Sequence, residues 1–89
     1  MLVAEALAEG GVLLGLPRPV AEQLAAHTVL GAGRLLVETG RAPEQLRAAV
    51  TSPGGTTAEA LRQLESRATR SAVIEAVAAS ARRSRELNG

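Results

Sequence analysis

Apolar residues recur at three- and four-residue intervals along almost the whole chain, and no stretch alternates in the manner of a half-buried strand. The pattern predicts five helices. The first runs from about Leu2 to Leu14, its spacing carried by Val3, Ala6, Leu7 and Leu14, and it ends at Gly15 and Pro17. Gly10-Gly11 inside it marks either a kink or a place where another backbone comes very close. A long second helix spans Arg18 to Thr39 and stops at Gly40, a natural C-terminal cap. Ala42-Pro43-Glu44 opens a short third helix, with Pro where a missing N–H does no harm, and Leu46 and Val50 are its inward residues. Thr56, with Glu59 three residues on, predicts a capping box for a fourth helix, Thr57–Ser66, with Leu61 and Leu64 inward. Thr69 is the expected cap of a fifth, Arg70–Leu87, whose face of Ala72, Val73, Ala76, Val77 and Ser80 is small and flat. Ion pairs are expected at Arg34–Glu38 and Arg82–Glu86.

The second helix decides the architecture. Val20, Leu24, Thr28, Gly31 and Leu35 lie along one side, and Ala21, Ala25, Val29, Ala32 and Leu36 lie beside them. Leu30 and Val37 widen the apolar surface further. A helix apolar over so much of its circumference is buried on more than one side, and four short neighbours can hardly enclose it. The expected fold is therefore all-α: a five-helix bundle over residues 1–89, interleaved with a second copy as a homodimer.

Composition fits this picture. Of 89 residues 46% are hydrophobic and none is aromatic, so the interior is built by close approach of small side chains. Ten basic residues, all Arg, against nine Glu give a formal charge of +1, without the basic excess of a nucleic-acid binder. Arg82-Arg83-Ser84-Arg85 lies at the end of a helix, where cations favour the dipole. No cysteine is present, which fits a reducing cytoplasm and excludes disulfides and thiolate metal sites. The start of the chain does not read as a signal peptide, and its apolar stretches are too short to span a bilayer. His27 is the only histidine, so no His pair exists to hold a metal; no metal site is expected. Val29-Leu30-Gly31-Ala32-Gly33 mimics the start of a dinucleotide-binding turn, but Leu36 stands where the third glycine belongs and the surroundings are helical. Gly31 and Gly33 are expected to serve a tight helix crossing instead.

The remaining chemistry lies in Thr51-Ser52-Pro53-Gly54-Gly55-Thr56-Thr57. Two glycines permit a sharp turn and a close approach to a ligand, and a helix then begins with several N–H groups lacking intrahelical partners. Such an entrance attracts a small anion, carboxylate or phosphate alike; it is equally the make-up of a plain interhelical turn.

Pro43-Glu44-Gln45-Leu46, Val50 through Thr57, Ala60-Leu61 and Leu64-Glu65 together resemble the signature of pyrroline-5-carboxylate reductases. Glu5-Ala6-Leu7-Ala8, Gly15-Leu16-Pro17-Arg18, Thr28 to Ala32 and Arg83 to Leu87 resemble that family too. The resemblance implies the C-terminal dimerisation domain of an enzyme that reduces pyrroline-5-carboxylate to proline with NADPH or NADH. It implies that an N-terminal Rossmann domain, absent from these residues, binds the nucleotide, and that the active site forms between that domain of one subunit and the helical domain of the other. The substrate carboxylate would rest on amides around Gly55, Thr56 and Thr57, with Ser52 and Gly54 shaping the turn, and the Thr57 hydroxyl would reach the ring nitrogen as the catalytic contact. The implied location is cytoplasmic. This chain alone would bind no cofactor and show no reductase activity. Three departures from the family pattern stand out: the nucleotide domain and the Ser-Gly-rich segment expected before this domain are missing from these residues, Ala58-Glu59 replaces a more apolar pair, and Arg67-Ala68-Thr69 replaces Gly-Gly and a large apolar residue. A second expectation, from another class, is a non-catalytic helical dimerisation module that keeps only the scaffold.

Overall fold

The computed structural model describes all residues from Met1 to Gly89 and contains five α-helices and no strand. They are α1 (Leu2–Leu13), α2 (Arg18–Thr39), α3 (Pro43–Ala49), α4 (Thr56–Ser66) and α5 (Thr69–Asn88). The all-α expectation holds, and the helix ends fall within a residue of those expected. None of the helices is long and apolar enough to cross a membrane. The chain divides into two compact units, Met1–Leu46 and Arg47–Gly89.

In the first unit α1 packs on α2 through small side chains. Ala8, Ala21 and Ala25 are the buried core, and Val12 packs against it. A Cβ added to Gly11 would stand 3.1 Å from the Ala21 Cβ and 3.2 Å from the Leu16 Cδ1. Gly11 is thus the close-approach glycine, whereas Gly10 faces open space and α1 continues through both without interruption. Val3, Leu7 and Leu14, which carry the helical spacing of α1, are exposed, and the residue of α1 buried against the alanines of α2 is Ala8. Backbone bonds from Gly15 to the Val12 carbonyl and from Leu16 to the Gly11 carbonyl close α1 before Pro17 opens α2.

The second helix runs for about 33 Å. It ends at Gly40, whose φ of 64° is the left-handed conformation glycine adopts freely, and whose N–H donates to the Leu36 carbonyl. Thr28 and Thr39 donate their hydroxyls to the carbonyls of Leu24 and Leu35, which satisfies both without a partner from another element. Apart from Ala21 and Ala25 no residue of α2 is buried: Leu24 and Leu30 are each 54% exposed and Val37 83%. Nothing from the chain comes within contact distance of a Cβ added at Gly31 or Gly33. Arg34 pairs with Glu38 at 3.1 Å, as expected.

Pro43 opens α3 as its first helical residue, and the Gln45 side chain accepts the Ala42 N–H at 3.3 Å. Leu46 is half-buried, but Val50 lies beyond the helix and is exposed.

In the second unit α4 and α5 meet at a corner of two residues, Arg67 and Ala68. The corner is tight enough that Ala68 adopts φ 57° and ψ 36° and becomes the N-cap of α5 itself. This corrects the expected capping by Thr69, which lies one position inside the helix and makes no capping bond. An Arg70–Glu65 pair at 3.3 Å spans the corner. Near the end of α5, Arg83 rather than Arg82 pairs with Glu86, at 3.0 Å and i,i+3 spacing. The expected small-residue face of α5 is uncovered, with Val73 and Val77 both exposed.

Two expectations follow from these packing details. Gly11→Val places a branched side chain where even one carbon crowds Ala21 and Leu16, and should lower stability by about 1–3 kcal/mol in urea unfolding. Ala68→Gly relieves a left-handed alanine and should raise the urea midpoint, with a gain of about 1 kcal/mol.

Candidate functional site

The loop between α3 and α4 is fastened at its start. The Thr51 hydroxyl donates to the Arg47 carbonyl, and its N–H donates to the Ala48 carbonyl at 3.2 Å, so the chain leaves α3 in a fixed direction. Ser52-Pro53-Gly54-Gly55 then forms a β-turn closed by the Gly55 N–H donating to the Ser52 carbonyl at 3.0 Å. Pro53 at the second turn position and Gly54 with φ of 73° at the third make it a type II turn. Gly55 has ordinary extended backbone, φ −81° and ψ 177°; its need for glycine is space, not conformation. A Cβ there would lie 2.7 Å from the Ser52 Oγ and 3.2 Å from the Ser52 carbonyl oxygen.

Gly55 is also the N-cap of α4, which begins at Thr56. The predicted capping box is therefore not formed. Thr56 is the first helical residue rather than the cap, no side chain caps this end, and Glu59 pairs with Arg62 instead of reaching back. The first bond of the helix runs from the Glu59 N–H to the Gly55 carbonyl at 3.2 Å. Three consecutive amides, of Thr56, Thr57 and Ala58, precede it and have no intrahelical acceptor. The Gly55 amide, expected among the anion donors, is committed to closing the turn. With the cap at Gly55 rather than Thr56, the free donors extend to Ala58.

This end of α4 offers three N–H groups, the positive end of an 11-residue helix and two threonine hydroxyls. Thr57 and Ala58 are half-buried, while Ser52, Gly54 and Thr56 are exposed. The turn thus brings together all five residues expected at the site: Ser52 and Gly54 in its frame, Gly55 at the cap, Thr56 and Thr57 at the entrance. His27, by contrast, is an exposed residue of α2, and no cluster of His, Cys, Asp or Glu is arranged to hold a metal. Gly31-Ala32-Gly33 lies within α2, so no phosphate-binding turn exists there.

Residues 1–87 match the family model for pyrroline-5-carboxylate reductase dimerisation. The chain belongs to that family. The dimerisation domain is 56% identical over 86 residues to a pyrroline-5-carboxylate reductase of Synechocystis sp., covering 97% of this chain and 32% of the relative. It is 51% identical over 87 residues to the reductase of Glycine max, covering 98% of this chain and 32% of the relative. Among solved structures, that of Plasmodium falciparum pyrroline carboxylate reductase with NADP bound superposes with a TM-score of 0.83 at 33% identity, over 88% of this chain and 32% of that one. The domain therefore spans about a third of the length of these relatives.

The turn geometry makes a direct demand on Gly54. Gly54→Ala forces a left-handed alanine and should cost about 1–2 kcal/mol in urea unfolding, with faster amide exchange at Gly55 as the turn opens.

Proposed function

We infer that this chain is the dimer-forming and substrate-carboxylate-binding part of a pyrroline-5-carboxylate reductase, which reduces 1-pyrroline-5-carboxylate to L-proline with NADPH or NADH. The observation that carries the reading is the entrance of α4, where Thr56, Thr57 and Ala58 present uncommitted amides behind a glycine-built turn. A carboxylate accepts several N–H bonds at once and gains from the helix dipole, so the substrate's acid group binds there. The Thr57 hydroxyl, one residue inside the helix, contacts the ring nitrogen and orients the imine carbon. The hydride comes from a nicotinamide nucleotide held by a Rossmann domain, which is no part of these 89 residues; this chain alone has no reductase activity. The enzyme works in the cytoplasm.

Dimer formation is supported by what the chain leaves uncovered. Its buried residues are three alanines, while leucines and valines of α2 and α5 face outward. A shallow hollow of about 360 Å³ on α2, bounded by Val29, Leu30, Gly33 and Val37, suits the close passage of another helix. Interleaving of two copies covers these surfaces, and the active site forms between the helical domain of one subunit and the Rossmann domain of its partner.

In a reductase carrying this domain, Thr57→Val should lower kcat/KM for pyrroline-5-carboxylate at least about tenfold, because a buried polar contact to substrate is lost without change of shape. Thermal unfolding should move by no more than a few degrees. Unchanged kinetics would remove Thr57 from the substrate contact.

A further inference from the structure

Formal charge is divided unevenly along this chain. Up to Leu46 five Glu face three Arg, a balance of −2; from Arg47 onward seven Arg face four Glu, a balance of +3. The negative half carries a groove of about 380 Å³ between α1 and α2. Ala4 and Ala8 lie at its floor, and Glu5, Glu9, Glu22 and Arg18 line it. None of these four charged groups forms an ion pair within the chain, whose pairs are Arg34–Glu38, Arg62–Glu59, Arg70–Glu65 and Arg83–Glu86. The side chains lining the groove carry a net charge of −2, which the Met1 amino group at its rim reduces to −1, and they stand beside an apolar strip.

The positive half ends in the complementary surface. Arg82, Arg83 and Arg85 lie in the last two turns of α5, and only Arg83 is paired. The helix dipole favours a cation within the last turn, which accounts for Arg85 and not for Arg82 one turn earlier. Long arginine stems cover apolar surface while their heads reach carboxylates, which is the chemistry the groove offers.

We propose that the groove between α1 and α2 of one copy receives the arginine-rich end of α5 from a second copy, Arg82 and Arg85 meeting Glu5, Glu9 and Glu22. The inference rests on the reading of the chain as a homodimer and adds what fixes its register. By twofold symmetry the contact occurs twice, each copy giving its basic end and receiving the other's. Opposite charges so placed favour the exchanged arrangement, and parallel stacking of like halves is opposed by repulsion.

Two charge-reversed versions of the chain test this. Glu5→Arg/Glu9→Arg makes the groove basic, and Arg82→Glu/Arg85→Glu makes the helix end acidic. In a homodimer of either version both contacts are like-charged; in a mixed dimer both are complementary. Native mass spectrometry of an equimolar mixture, after far-UV circular dichroism has verified helicity, should show about nine-tenths mixed dimer, against about half for random pairing. In 1 M salt, where charges are screened beyond about 3 Å, the preference should fall toward one half. If a double variant loses helicity, the single reversals Glu9→Arg and Arg82→Glu make the comparison with a smaller expected excess of mixed dimer. Random pairing at low salt, with the wild-type chain dimeric at twice its 9.1 kDa mass, overturns the proposal and leaves the groove to another segment of a longer chain. A monomeric wild type overturns the dimer reading itself.

Discussion

Apolar surface held in water is the constraint that organises this molecule. With no aromatic side chain to fill an interior, α1 and α2 meet where alanine and glycine let two backbones approach, and that contact buries Ala8, Ala21 and Ala25 alone. Such a contact is specific in shape but small in area, and at about 25 cal/mol per Å² it contributes little beside the ordering entropy of 89 residues. Leu24, Leu30, Val37, Val73 and Val77 remain exposed on long helices, where a self-sufficient domain would have turned them inward. The same small residues that make the interior thin keep Gly31 and Gly33 of α2 open to a close neighbour. A dimerisation domain is what this distribution describes, and the family match agrees with it.

The elements of this fold were legible wherever local chemistry decides them. Gly40 in a left-handed cap, Pro43 at the first position of α3 and the helical spacing of α2 could all be read directly from the chain. What could not be read were choices between near neighbours. Spacing alone does not say which face of α1 is buried: Val3 and Leu7 are larger than Ala8, yet the alanines of α2 select Ala8, which only the packed pair reveals. Thr56 and Thr69 both have the chemistry of a cap, but each lies after a backbone reversal that places the preceding residue, Gly55 or Ala68, at the capping position. Arg83 displaces Arg82 as the partner of Glu86 because three- and four-residue spacings are nearly equivalent on a helix surface.

Around the candidate site the sequence indicated the turn and the helix that follows it, and placed the cap of that helix one residue late. Five positions from Ser52 to Thr57 gather at one end of α4 as expected, since a turn of Pro53 and Gly54 leaves the chain little alternative. Placing the cap at Gly55 moves the free amides to Thr56, Thr57 and Ala58 and assigns the Gly55 amide to the turn. The difference is one residue, and it alters which groups are free to meet an anion.

That one-residue difference carries a physical consequence for the proposed carboxylate subsite. Had Thr56 been the cap, its hydroxyl would have accepted an N–H from Ala58 or Glu59, and the helix would have satisfied its own entrance. A glycine cap offers no side chain, so those donors stay available and both threonine hydroxyls remain uncommitted at the surface. Backbone conformation marks both ends of α4: left-handed Gly54 stands one position before its cap Gly55, and left-handed Ala68 follows its C-cap Arg67. The Gly54 turn, together with the Thr51 bond to Arg47, sets the start of the helix without using the amides of Thr56, Thr57 and Ala58. Because α1, α2 and α5 also begin without a side-chain cap, the proposed carboxylate subsite rests on the free amides standing directly behind the Ser52–Gly55 turn, not on the uncapped end alone.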